Sequence, residues 1–152
     1  MFTPTLLLLA HHGTAGASRA EALAFALAAP GVTTVAHALV VPDFWDGMQG
    51  DDWLNNASTR DSFARHLEGK LAAENAQIVD SLRSRCEGHG LACRSLVAYG
   101  DPAGRLVEMA REVRPDLVVI GPPRAKGEPG YRSRMNLETL ARGLSCPLVV
   151  AR

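Results

Sequence analysis

Two stretches of the chain concentrate residue types that could meet a charged ligand. The first is Gly121-Pro122-Pro123-Arg124-Ala125-Lys126-Gly127-Glu128-Pro129-Gly130-Tyr131-Arg132-Ser133-Arg134. Arg124, Lys126, Arg132 and Arg134 place four positive charges there against one negative charge on Glu128, a local net of +3. Gly121, Gly127 and Gly130 offer backbone that an anion can approach closely, and Ser133 adds a hydroxyl. The segment leads into a helical stretch, and a helix N-terminus presents N–H groups and a partial positive charge that favour phosphate or carboxylate. Basic side chains would add charge-assisted contacts. The same composition equally suits a surface loop whose charges are simply solvated.

The second stretch is His11-His12-Gly13-Thr14. Adjacent residues at a strand end point to opposite faces, so one imidazole is expected to line a crevice and the other to pack. A metal site needs further ligands beside them. His37 and His66 cannot be placed there from sequence, and no metal is expected. No Gly-x-Ser-x-Gly elbow supports a serine hydrolase, and no Gly-Lys-Ser or Gly-Lys-Thr marks a phosphate-binding P-loop. Cys86, Cys93 and Cys146 are odd in number and match no zinc spacing. They are expected to be buried or half-buried free thiols in a reducing compartment.

These residues must be held by a scaffold, and the hydrophobic pattern describes one. Thr5 to Ala10 is a continuous apolar run, as in a strand buried on both faces. Ser18 and Glu21 have the spacing of a capping box, and Ala20, Leu23, Ala24, Leu27 and Ala28 continue at helical spacing as far as Pro30-Gly31. Thr33 to Val41 reads as a second strand. Asp43 to Asn56 carries Gly47, Gly50, Trp45 and Trp53 and reads as an insertion, either a cap over the sheet edge or a lid or partner-binding flap. A long helix is expected from Ser58 to Glu87, with Phe63, Leu67, Leu71, Ile78 and Leu82 as its buried stripe. Leu91 to Tyr99 is a third strand. Asp101 and Pro102 then stand as N-cap and first residue of a helix Ala103 to Val113. Leu117 to Ile120 is a fourth strand, Asn136 to Leu144 a short helix, and Cys146 to Ala151 a fifth strand.

Strands alternating with helices give one α/β domain over residues 1–152, a parallel sheet with helices on both faces. In such a sheet a ligand sits beyond the carboxyl ends of the strands, here where the first and fourth strands end. The chain has 152 residues, 47% hydrophobic and 21% charged, the balance of a globular domain. Lys plus Arg equals Asp plus Glu, 16 each, which argues against a dedicated nucleic-acid binder. The apolar run Leu6 to Ala10 is too short to span a bilayer and lacks the flanks of a secretion signal, so a cytoplasmic location and no membrane partner are expected.

The motifs Val97-Ala98-Tyr99-Gly100-Asp101-Pro102-Ala103, Arg114-Pro115-Asp116-Leu117-Val118-Val119-Ile120-Gly121 and Ser145-Cys146-Pro147-Leu148-Val149-Val150-Ala151-Arg152 resemble the universal stress protein family. His37 falls where that family often has Leu-His-Val. The resemblance spans the whole chain. It implies a doubly wound fold with five strands in the order 3-2-1-4-5. It also implies a homodimer joined through the last strand, Leu148 to Ala151. Nucleotide-binding members carry Gly-x-x-Gly, nine further residues and then Gly-Ser or Gly-Thr. Here only Gly121 matches; Arg124, Arg134 and Met135 occupy the other positions. Shifting the register to Gly127 and Gly130 leaves Leu140 where the next Gly should be. The family's Asp-Gly-Ser after the first strand is His12-Gly13-Thr14 here.

The expectation is a stress-response or regulatory domain that is not an enzyme and lacks the usual ATP motif. ATP or AMP as cofactor is disfavoured. The alternative is a module for a nucleotide or other anionic ligand held by His12, Gly13, Gly121, Arg124, Lys126, Gly127, Gly130, Ser133 and Arg134. A weak nucleotide hydrolase ranks last, because no evident residue would hold Mg²⁺.

Overall fold

The computed structural model describes residues 2–11, 15–41, 57–122 and 135–152; for residue 15 and residues 57–71 it describes the backbone alone. Five strands and four helices alternate along the described residues: β1 (Leu6–Ala10), α1 (Ala15–Leu27), β2 (Thr34–Val41), α2 (Ala57–Gly88), β3 (Ala92–Tyr99), α3 (Pro102–Val113), β4 (Leu117–Ile120), α4 (Leu137–Gly143) and β5 (Leu148–Val150). All these strands pair in parallel in the order β3-β2-β1-β4-β5. The fold class and strand order implied by the resemblance are therefore the observed ones.

Strand geometry sorts the apolar residues by parity, since successive side chains point to opposite faces. Leu8, Ala10, Ala36, Ala38, Val40, Val118 and Ile120 lie on one face and pack against Leu106, Val107, Met109 and Ala110 of α3 and Leu140 of α4. Leu7, Leu9, Val35, Leu117 and Val119 lie on the other and pack against Ala20 and Ala24 of α1 and Leu82 and Cys86 of α2. Every residue of β4 is buried, as expected of a strand covered on both sides.

The turn between β3 and α3 follows its residue chemistry. Gly100 has φ 129°, a conformation that L side chains rarely adopt. Asp101 is the N-cap, its carboxylate accepting from the Gly104 N–H at 2.9 Å, and Pro102 opens the helix.

The start of α1 differs from expectation. The helix begins at Ala15, not after Ser18, and Glu21 is no capping-box partner. Its carboxylate instead accepts from Arg85 of α2, at 2.8 Å from Nε and 2.6 Å from Nη2. Gly16 and Ala17 are small enough to press against the end of β4, and that packing overrides the local cap signal. The helix also stops at Leu27, before Pro30-Gly31, where the Thr33 hydroxyl takes the Ala29 N–H at 2.9 Å. The last strand is shorter than expected: Pro147 offers no N–H, and strand geometry covers only Leu148–Val150. Of the expected α2 stripe, Leu82 is fully buried and Ile78 half-buried, while Phe63, Leu67 and Leu71 lie outside the described side chains. The Trp45 and Trp53 insertion lies outside the described residues.

Candidate functional site

Parallel pairing brings the carboxyl ends of β1 and β4 side by side, since the two strands are hydrogen-bonded neighbours. Gly121 follows β4 directly. A Cβ on Gly121 would stand 2.3 Å from the carbonyl oxygen of Gly16 and 3.1 Å from the amide nitrogen of Ala17. The first turn of α1 therefore sits against bare backbone at the end of β4, and Pro122 lies 3.4 Å from where a Cβ on Gly16 would stand. Among the nine expected ligand-contacting residues only Gly121 falls within the described ones. His12, Gly13, Arg124, Lys126, Gly127, Gly130, Ser133 and Arg134 lie outside them.

The helix expected to offer open N–H groups after the basic segment is α4, seven residues long. Asn136 caps it, its side-chain oxygen accepting from the Thr139 N–H at 3.1 Å. Glu138 stands in the first turn and pairs with Arg142 at 2.8 Å. This end is already capped by a side chain and carries a carboxylate, which disfavours an anion there. Met135 packs with Leu137 against the α3 and α4 core.

A polar cluster lies inside the opposite core, where sequence reasoning does not place one. His11 follows β1 and His37 lies in β2; their rings meet edge to face with centroids 6.1 Å apart. His11 is thus the packed member of the His11-His12 pair. The Nε2 of His37 is 2.9 Å from the His11 carbonyl oxygen. A carbonyl only accepts, so this nitrogen carries the proton and donates. Among the described residues the buried Nδ1 of His37 has no hydrogen-bond partner, and neither do the side-chain amide of Asn75 or the Ser95 hydroxyl. Ser95 stands directly across from His37 in the β2–β3 ladder. Glu21 faces the pair, with its carboxylate 3.6 Å from Nε2 of His11 and held by Arg85. Burial pushes the His11 imidazole down from 6.5 to about 4; Glu21 opposes that shift and His37 reinforces it. Burial likewise lowers His37, against the hydrogen bond to His11.

One signal for this cluster is available in the sequence. Asn75 interrupts the apolar stripe Leu71, Ile78, Leu82 at helical spacing, and His37 interrupts an otherwise apolar strand. Among the described residues no group of three or more His, Cys, Asp and Glu could hold a metal ion, and no helix is long and apolar enough to cross a membrane.

This fold is shared with known proteins. The model of the universal stress protein family matches residues 5–152. The universal stress protein UspA from Lactobacillus plantarum shares the fold with a TM-score of 0.70 at 18% identity, covering 100% of both chains. A universal stress protein family member from Burkholderia pseudomallei superposes with a TM-score of 0.66 at 23% identity, covering 96% of this chain and 94% of its own. A family protein from Arabidopsis thaliana with AMP bound gives 0.60 at 16% identity, covering 97% and 91%. No curated protein matches.

Two outcomes are expected. Gly121→Ala drives its methyl into the Gly16 carbonyl, so stability should fall by about 1–3 kcal/mol, read as a lower urea midpoint. Gly88→Ala, with nothing within 4 Å of the added carbon, should leave that midpoint unchanged or raise it. Stability should also fall on acidification. The unfolded chain protonates His11 near 6.5 and the folded chain only near 4, so between those values the unfolded state binds more protons. Stability is then lost as pH drops through that window, by up to about 1.4 kcal/mol per unit for this group. Urea unfolding at pH 7, 6 and 5 measures it. His11→Asn should flatten the slope.

Proposed function

The chain belongs to the universal stress protein family, and from that premise we propose that it is a non-catalytic regulatory member whose crevice does not hold ATP in the family's usual way. The observation that carries this reading is Met135. The family position that would offer a hydroxyl to phosphate here supports the α3 and α4 core with a thioether side chain. The capped N-terminus of α4, with Glu138 in its first turn, adds support. Arg124 and Arg134, where glycine is usual, would put long side chains where backbone meets phosphate.

A second reading keeps the crevice in use. The protein from Arabidopsis thaliana, of the same fold, has AMP bound, and the segment Gly121 to Arg134 carries a net charge of +3. In that reading Arg124, Lys126, Ser133 and Arg134 hold a smaller or differently placed anion, with Gly121, Gly127 and Gly130 supplying backbone and His12-Gly13 the opposite wall.

We further propose a homodimer joined through Leu148 to Ala151. Among the described residues strand β5 pairs with β4 on one side only, and Leu148, Val149 and Val150 are all apolar and half-buried. An open apolar edge of this kind favours pairing with another chain.

Thermal unfolding with ATP, AMP, cyclic AMP and inorganic phosphate at millimolar concentration separates the two ligand readings, because a ligand that binds only the folded state raises the melting temperature. The expected result is no rise with ATP. A rise of several degrees with ATP would overturn the first reading, and a rise with AMP or phosphate alone would favour the second. Static light scattering over a hundredfold concentration range should give twice the 16.2 kDa chain mass. A mass of one chain throughout would rule out the dimer.

A further inference from the structure

His37 is fully buried in an apolar strand, and only one of its ring nitrogens is bonded. Nε2 donates to the His11 carbonyl at 2.9 Å. Burial lowers the proton affinity of the ring and keeps it neutral. With the proton on Nε2, Nδ1 is a lone-pair acceptor. Across a five-membered ring the two nitrogens face nearly opposite ways, so Nδ1 turns away from the end of β1. β1 and β3 flank β2 on opposite sides. On the β3 side Ser95 stands in register with His37, and residues directly opposite in a parallel ladder project to the same face. The Ser95 hydroxyl is buried as well, and among the described residues it has no hydrogen-bond partner. An acceptor without a donor and a hydroxyl without a partner thus sit on adjacent strands and one face, and they do not bond to each other.

We propose that a single water molecule is built into this core between β2 and β3, donating one proton to Nδ1 of His37 and accepting the proton of the Ser95 hydroxyl. The surroundings select that ligand. On the same face the neighbours of His37 along β2 are Val35 and Leu39, both fully buried, and those of Ser95 along β3 are Cys93 and Val97. None of the four is a strong donor. The filling group must therefore bring a proton to Nδ1 and a lone pair to Ser95. An anion has no proton to give. A metal ion would find one nitrogen and one neutral hydroxyl, and among the described residues no group of three or more His, Cys, Asp and Glu could complete its shell. A water has both protons and lone pairs, and buried waters characteristically join polar groups that would otherwise stay unbonded. Strands about 4.8 Å apart leave room between facing side chains for one molecule of that size.

The bridge completes a directed chain of hydrogen bonds. Ser95 donates to the water, the water donates to His37, and His37 donates to the His11 carbonyl. The chain runs from the edge strand β3 across β2 to the end of β1. It satisfies two buried polar groups whose desolvation is otherwise uncompensated. Hydrogen bonds in such a chain also polarise one another, so a change at Ser95 is felt at the His37 ring.

The test joins a crystal structure of the full chain, at a resolution that shows ordered water, to nitrogen NMR of the chain carrying isotope-labelled histidine near neutral pH. The expected density is one isolated peak at about 2.7–3.2 Å from both Nδ1 of His37 and Oγ of Ser95. The expected spectrum shows His37 protonated on Nε2, with Nδ1 unprotonated and displaced from the position of a free ring nitrogen. Ser95→Val fills the space with methyl groups and should return Nδ1 to that free position, whereas Ser95→Thr keeps the hydroxyl and should keep the displacement. A direct bond from Ser95 to Nδ1 would overturn the proposal. So would the absence of a peak between them, a peak larger than one atom, a proton on Nδ1, or a Ser95→Val chain whose Nδ1 resonance does not move. The density and spectrum of the parent chain need no substitution, so they decide the matter even where a variant fails to fold.

Discussion

Helices cover both faces of a parallel sheet, so its central strands have no solvent side. The rest of the molecule follows from that constraint. β1, β2 and β4 must be apolar at nearly every position, which divides the interior into two cores by the parity of the strand residues. One core receives α3 and α4, the other α1 and α2. Burial on this scale supplies most of the favourable free energy of the fold. It also makes any polar group in a central strand costly unless it is bonded.

The α1 and α2 core meets that cost with a connected set of groups. His37 donates to the backbone at His11, and Glu21 stands beside His11 with Arg85 holding its charge. The same carboxylate ties α1 to α2, so one ion pair both joins two helices and faces two buried imidazoles. Neutral histidines suit this core near neutral pH, and their lowered proton affinity follows chiefly from burial. A face that reads in the sequence as plain packing thus holds titratable groups.

The crevice between β1 and β4 is shaped by a different demand. Gly121 has no side chain because the Gly16 carbonyl occupies that space. A glycine that would serve close ligand approach is, in this chain, also required for close helix approach. Met135, just before α4, likewise serves the core. Membership of the family shows the fold; the residues at the ends of β1 and β4 belong to this chain.

Much of this is legible from the sequence alone. Apolar runs bounded by Gly and Pro identify five strands and four helices, since buried parallel strands have no polar alternation to disguise them. Asp101 and Pro102 mark the start of α3 because capping is local chemistry. What depends on distant contacts is not legible. Ser18 and Glu21 have the spacing of a cap, yet α1 starts earlier because Gly16 and Ala17 meet Gly121, far along the chain. Glu21 meets Arg85 and His37 meets His11 only once strands pair and helices pack. Sequence determines local propensity and the sign of burial at each position; which side chains then touch is decided by the packing of elements far apart along the chain.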